Sequence, residues 1–217
     1  MRTLSRRALD FDTILRPSRS GVPLLHDLKN LSVLVLPGLH GAGEDHWQTA
    51  WQKAFPAFYR VEQADWDQPV YADWSARLTA AVERAALPIV LVAHSLGTSL
   101  TMRWSFDQPA LAGKVAGAIL VAPTDRDRFD KPGSPLAAFG PMIFEKLPFP
   151  SLVMASRDDD RVSFDRAQAF AAAWGSRFVD VGSLGHIGSA AKLGLWPFGL
   201  FWFGQFVGSL AVPARKA

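Results

Sequence analysis

The sequence predicts an α/β protein: a compact, mainly parallel sheet of about six strands with helices on both faces. Three observations carry this. Short, continuous apolar runs such as Ile89-Val90-Leu91-Val92-Ala93 recur along the chain. Strands with one wet face would alternate apolar and polar residues, whereas unbroken runs suit strands covered on both faces. Between the runs lie segments with apolar residues three and four apart, which is helical spacing. One strand leads through Ala93-His94-Ser95-Leu96-Gly97 directly into a helix, placing a serine on the turn. In a doubly wound sheet, ligands bind at the carboxyl ends of the strands, where that turn lies.

Residues 1–30 read as an N-terminal arm, expected to be poorly ordered, with five arginines and no long apolar face. Ser5-Arg6-Arg7 is similar to a twin-arginine export signal. Asp10 and Asp12 interrupt the apolar run such a signal needs, so a cytoplasmic location is expected. The remainder, residues 31–212, is read as one domain. Ser32 to Leu36 is the first strand, followed by the glycine-rich loop Pro37 to Gly43. A helix over about Glu44 to Phe55 presents Trp47, Ala50, Trp51 and Ala54 inward. Phe58 to Gln63 is the second strand, and Ala64 to Tyr71 a loop holding Trp66 and Pro69. Asp73 is the expected cap of a helix reaching about Leu87, with Leu78, Ala81, Val82 and Ala85 inward.

The Ile89 to Ala93 strand follows, then a helix over Thr98 to Phe106 with Leu100 and Trp104 on one face. Val115 to Val121 is the fourth strand. The stretch at about 124–150, rich in proline and glycine, is long for a plain connection and reads as a short, partly helical cap. Ser151 to Ser156, a helix over Phe164 to Trp174 stopped by Gly175, and strand Arg177 to Val181 complete the sheet. Leu193 to Ala214 carries no charge, but Pro197, Gln205 and four glycines interrupt it. A helix from Pro197 with Phe201, Trp202, Phe206 and Leu210 inward is expected rather than a transmembrane span. Its remaining aromatic surface suits a homodimer contact or a lipid interface.

The net charge of +3 sits largely in the termini and does not describe a nucleic-acid groove. The absence of cysteine excludes disulfides, thiolate metal sites and a cysteine nucleophile. The glycine loop lacks the spacing of a dinucleotide fingerprint or a P-loop.

Strand, tight turn with central serine, helix is the layout of a nucleophile elbow, in which positions two before and two after the serine must be small. Gly97 meets this; Ala93 adds one methyl. A serine hydroxyl needs a base to take its proton and an acid to orient the base. The chain holds five histidines: His26, His40, His46, His94 and His186. In such folds the order is serine, acid, histidine, which selects His186, in the loop after the last strand. His94, beside Ser95 on a sharp turn, should point away from it. The acid should follow Ser151 to Ser156, where Asp158, Asp159 and Asp160 are consecutive; Asp159 is favoured, with Asp158 and Asp160 as alternatives. Oxyanion donors are expected from the backbone N–H groups of Leu39, in the glycine loop, and Leu96, at the helix start. Candidate pocket residues are His40, His46, Trp66, Phe129, Phe139, Met142 and Phe144. They suit a small or medium apolar acyl group. A structural role is favoured for His46. No metal spacing is evident and no cofactor is expected.

These motifs resemble the small α/β-hydrolase serine hydrolase family that includes retinoblastoma-binding protein 9 and the YdeN-like predicted esterases. The matching stretches are Val35-Leu36-Pro37-Gly38, His46-Trp47-Gln48 with Trp51, Trp66-Asp67-Gln68-Pro69 with Trp74, Ala93 to Gly97, Ser156 to Val162, Gly185-His186-Ile187 and Trp196-Pro197. The resemblance covers roughly Leu31 to Phe206. It implies a catalytic triad of Ser95, Asp159 and His186, a small-molecule acyl substrate and no cofactor. It departs at Ser163, where such families often have proline. Two other readings share the same fold: a catalytically silent binding protein, and a hydrolase of amide, thioester or carbon–carbon bonds.

Overall fold

The computed structural model describes residues 31–85, 88–128, 134 and 136–210. The arm expected at residues 1–30 lies outside the described residues, as does Phe129. Six strands form one parallel sheet: β1 (Ser32–Leu36), β2 (Phe58–Arg60), β3 (Ile89–His94), β4 (Val115–Val121), β5 (Ser151–Ala155) and β6 (Arg177–Asp180). Their order is β2-β1-β3-β4-β5-β6, and every neighbouring pair runs parallel. The helices are α1 (Trp47–Ala54), α2 (Tyr71–Arg84), α3 (Leu96–Asp107), α4 (Pro109–Ala112), α5 (Phe164–Trp174) and α6 (Pro197–Ser209).

The chain steps from β1 outward to β2, then returns past β1 to lay down β3. The two connections leaving β1 and β3 therefore diverge, opening a crevice at the carboxyl ends of those strands. Side chains alternate between the two faces along each strand. Leu34, Leu36, Leu91, Ala93, Val153 and Ala155 pack under Trp74 and Leu78 of α2, Leu100 and Trp104 of α3, and Phe170 and Trp174 of α5. Val33, Val35, Val90, Val92, Ile119, Val121 and Met154 face Trp47 and Trp51 of α1, and Phe203 and Phe206 of α6. The continuous apolar strand sequences are thus explained by a sheet covered on both sides.

Several expectations need correction. β2 ends at Arg60, not Gln63. In α1, Ala54 is exposed, while Gln48 is fully buried and bonded to strand carbonyls. α2 begins at Tyr71 after Val70, so Asp73 lies in its first turn, favourable to the helix dipole, rather than at the cap. In α6, Phe203 and Phe206 are buried, whereas Phe201 is 58% exposed. Leu195 and Phe198 are exposed near it. The cap stretch contains two single 3-10 turns, Arg126–Arg128 and Ala137–Phe139, among its described residues. No helix among the described residues is long and apolar enough to cross a membrane.

Candidate active site

Ser95 sits between the end of β3 and the first residue of α3, with φ 55° and ψ −122°. Such a backbone costs about 1–3 kcal/mol and persists only where the surroundings impose it. Here they do. Its N–H bonds the Val121 carbonyl of β4 (3.0 Å), and its carbonyl accepts from the Thr98 amide and hydroxyl of α3. As a helix cap, Ser95 would aim its hydroxyl at the α3 amides, but it makes no such bond. Its Oγ lies 2.8 Å from His186 Nε2 and 3.0 Å from Thr124 Oγ1.

His186 reaches Ser95 from the loop after β6. Its Nδ1 is 2.9 Å from both carboxylate oxygens of Asp159. The Asp159 side chain is fully buried, and its Oδ1 also accepts the Arg161 N–H (2.8 Å). A carboxylate only accepts, so Nδ1 carries the hydrogen and, in the neutral ring, Nε2 is the acceptor. Ser95 then donates to Nε2, and the Thr124 hydroxyl donates to Ser95 Oγ.

The three consecutive aspartates occupy three environments. Asp159 faces the imidazole. Asp158 accepts from the Ser156 hydroxyl (2.6 Å) and the Gly185 N–H (2.8 Å). Those bonds brace the His186 loop and hold the Asp158 carboxyl below the usual range, the Ser156 bond contributing most. Asp160 is exposed and lies 3.4 Å from the Arg161 guanidinium.

Across the crevice, the glycine loop presses on the serine. A methyl group on Gly38 would lie 2.6 Å from Ser95 Cβ and 3.1 Å from the Leu96 nitrogen. The backbone next to Leu39 therefore lies beside the Ser95–Leu96 peptide.

The space beside Ser95 is a cavity of about 170 Å³ lined by Leu39, His40, Ser95, Thr124, Leu136, Arg161 and His186. A wider cleft of about 750 Å³ between β2 and α2, which includes Arg60, Asp73, Arg77 and Arg84, touches none of the reactive groups. Of the expected pocket residues that are described, His40 alone lines the small cavity, with its Nδ1 2.7 Å from Asp67. The other described ones are placed elsewhere. Trp66 covers Gly41 and meets Trp74 edge-on. Phe139 is fully buried against Tyr71 and Trp74. Met142 is buried in the same core, its N–H bonded to Asp127. Phe144 is 46% exposed and packs on Phe170 under the Arg166 guanidinium. Aromatic content drew attention to them, but large rings near a cap also serve to seal the core.

Thr124, Leu136 and Arg161 were missed. Register offered a signal for Thr124: β4 pairs with β3 so that Val121 sits opposite His94, and residues just after Val121 must flank Ser95. No such signal marked Leu136 or Arg161. Within the described residues, no cluster of three potential ligands exists for a metal ion.

His46 and His94 back the site from inside. His46 caps α1 by accepting the Gln48 N–H at Nδ1 (3.1 Å), and its ring meets His94 edge-on. Burial, then the charges of Arg60 and His186, push the His46 pKa down to about 4; His94 is lowered well below its ordinary value, again chiefly by burial. Both are neutral at neutral pH. The folded chain therefore refuses a proton that the unfolded chain takes up near pH 6.5. Stability is complete above about pH 6.5 and falls as the pH drops toward 4. His46 alone contributes on the order of 3 kcal/mol to that loss. His46→Asn keeps a capping side chain but cannot titrate, so denaturant midpoints at pH 4.5 and 7 should differ less than in wild type.

The sequence model of the serine hydrolase family matches residues 33–205. The chain belongs to the serine hydrolase family. This serine hydrolase is similar to a YdeN-like hydrolase from Pectobacterium atrosepticum, with 30% identity, 87% of this chain and 97% of that one covered, and a TM-score of 0.76. It is also similar to the ydeN gene product of B. subtilis, at 20% identity, 82% and 98% coverage and a TM-score of 0.62. An esterase from Rhodococcus sp. ECU1013 shares the fold at 15% identity, 85% and 92% coverage and a TM-score of 0.61. No curated protein matches the sequence. The α/β-hydrolase fold of this serine hydrolase, and a hydrolytic activity, follow from these findings.

Proposed function

We propose that the protein cleaves esters of small acyl groups through an acyl-enzyme on Ser95. The observation that carries this reading is the unbroken relay from the Asp159 oxygens through His186 to Ser95 Oγ, with contacts of 2.9 and 2.8 Å. Ser95 Oγ attacks the ester carbonyl while His186 Nε2 accepts its proton. Asp159 keeps the ring in the required tautomer and stabilises the imidazolium that forms. The Leu39 and Leu96 N–H groups receive the oxyanion, aided by the N-terminus of α3. His186 then gives its proton to the leaving alkoxide. Water, activated by the same imidazole, releases the acid.

The cavity volume of about 170 Å³ supports a short acyl chain. Leu39 and Leu136 offer it apolar contact, while Arg161 and His40 place polar groups at the same cavity. Activity should therefore fall steeply as p-nitrophenyl esters lengthen beyond a few carbons.

A fluorophosphonate probe tests the nucleophile. Wild type should be labelled at Ser95 and Ser95→Ala should not. Equal labelling of the two would discard the assignment.

A further inference from the structure

Three buried side chains behind the site make bonds that the chemistry itself does not require. His94 Nε2 lies 2.8 Å from the backbone carbonyl of His186. A carbonyl only accepts, so His94 is the Nε2–H tautomer and donates. Trp47 Nε1–H donates to the next carbonyl, that of Ile187 (2.9 Å). Gln48 Nε2 donates to the Val92 carbonyl of β3 (3.1 Å) and, at 3.4 Å, to the Leu36 carbonyl of β1. Trp47 and Gln48 are fully buried and His94 is 6% exposed.

Each bond ends on a segment that carries one part of the proposed machinery. Leu36 leads into the loop with Leu39; Val92 leads into Ser95; His186 and Ile187 are the histidine loop itself. That loop is the least regular of the three. Gly182 and Gly185 have positive φ, and Ile187, a β-branched residue, sits at φ 52°. A left-handed isoleucine is a genuine outlier and must be held from outside. The two donors, His94 and Trp47, bracket its peptide, and its own side chain is fully buried. Gln48 carries a cost of its own: its Oε1 has no partner among the described residues. Packing alone would be served better by an apolar residue of that size.

We infer that Trp47, Gln48 and His94 are positioning residues that lock the β1 loop, the nucleophile turn and the His186 loop into one rigid frame. Catalytic groups must be held within about 0.5 Å of their productive geometry by neighbours of this kind. The inference rests on the serine hydrolase reading above.

The test uses Trp47→Phe, which stays aromatic but loses the N–H together with part of the indole, and His94→Leu. His94→Gln is the conservative variant, since its amide nitrogen is as many bonds from the backbone as the imidazole Nε2. Rates on a short p-nitrophenyl ester and fluorophosphonate labelling rates are measured well below each variant's melting point. Trp47→Phe and His94→Leu should lower kcat and the labelling rate by about 10- to 100-fold, with KM nearly unchanged. His94→Gln should recover most of the loss. A purely structural role would lower the melting temperature and leave kcat of the folded protein alone. Wild-type kcat in Trp47→Phe, and in His94→Leu where it folds, beside an inert Ser95→Ala, would overturn the positioning roles only. An unlabelled wild type would overturn the underlying reading as well.

Discussion

His186→Ala should lower kcat for a short p-nitrophenyl ester by about 10⁶-fold, and Ser95→Ala by a similar factor. The size follows from how the groups are joined. Ser95 Oγ meets one base, at 2.8 Å, and that base meets one buried carboxylate. Removing either member leaves a neutral hydroxyl or an imidazole with nothing to activate. The double variant should be hardly worse than either single one, because the groups act as a unit. Asp159→Asn should cost less, about 10⁴-fold. The ring would remain in place, but an amide nitrogen facing Nδ1 turns the imidazole to the wrong tautomer. Steady-state rates on the same ester, with circular dichroism to show that each variant is folded, check all three. A loss below tenfold in His186→Ala would mean that another group takes the serine proton.

Gly97→Ala should be the most damaging of the small substitutions to the fold. A Cβ at Gly97 would lie 2.2 Å from the Leu36 carbonyl oxygen and 2.8 Å from that of Pro37. Both are backbone atoms, so no side-chain rotation relieves the clash. α3 must lift away from β1, which opens the core around Leu96 and Leu100. Overpacking of a rigid site costs about 1–3 kcal/mol or more, and about 3 kcal/mol lowers the melting temperature of a domain this size by roughly 6–12 °C. Activity should fall further than stability, since the displaced strand end leads to Leu39. Gly204→Ala is the control. It lies inside α6 with nothing within 4 Å of the added methyl, and should stabilise by about 0.5–1 kcal/mol. Thermal melts of the two variants beside wild type measure the contrast.

The sheet was legible because each strand is a short apolar run and each helix an apolar stripe. Burial forces both patterns, so they appear before any contact is known. Errors cluster where one residue type serves two ends. Asp73 suits a cap or a first turn, and only the path of the chain from Val70 decides. Phe201 and Phe203 are equally apolar, and the rotation of α6 against the sheet chooses Phe203. Gln48 is polar yet fully buried, because two strand carbonyls find their donor in its amide.

At the candidate site, the residues set by chain order were legible and those set by approach were not. Ser95 was nominated by its small neighbours at a strand–helix turn, and His186 by its place after the last strand. Three adjacent aspartates carry the same charge in the sequence. Only the turn after β5 separates them, sending Asp159 inward to within 2.9 Å of His186, Asp158 to the Ser156 hydroxyl and Gly185 amide, and Asp160 to solvent. The cavity lining was misjudged for a related reason. Thr124 and Leu136 come from the connection between β4 and β5, and Arg161 from the turn after β5. Nothing local in their sequence marks them, and of the aromatic residues that stood out Phe139 is fully buried in the core, Trp66 covers Gly41 and Phe144 is exposed.

The sequence by itself determined a parallel sheet covered on both faces and a serine on the turn into a helix, because hydrophobic burial and steric limits at a tight turn are written into residue type and spacing. The sequence favoured Asp159 over its two neighbours, but tertiary structure alone decided what walls the cavity, and that Trp47, Gln48 and His94 brace three distant segments. Those are matters of direction and distance between parts of the chain up to 140 residues apart, and they exist only once the sheet has brought its strand ends to one rim.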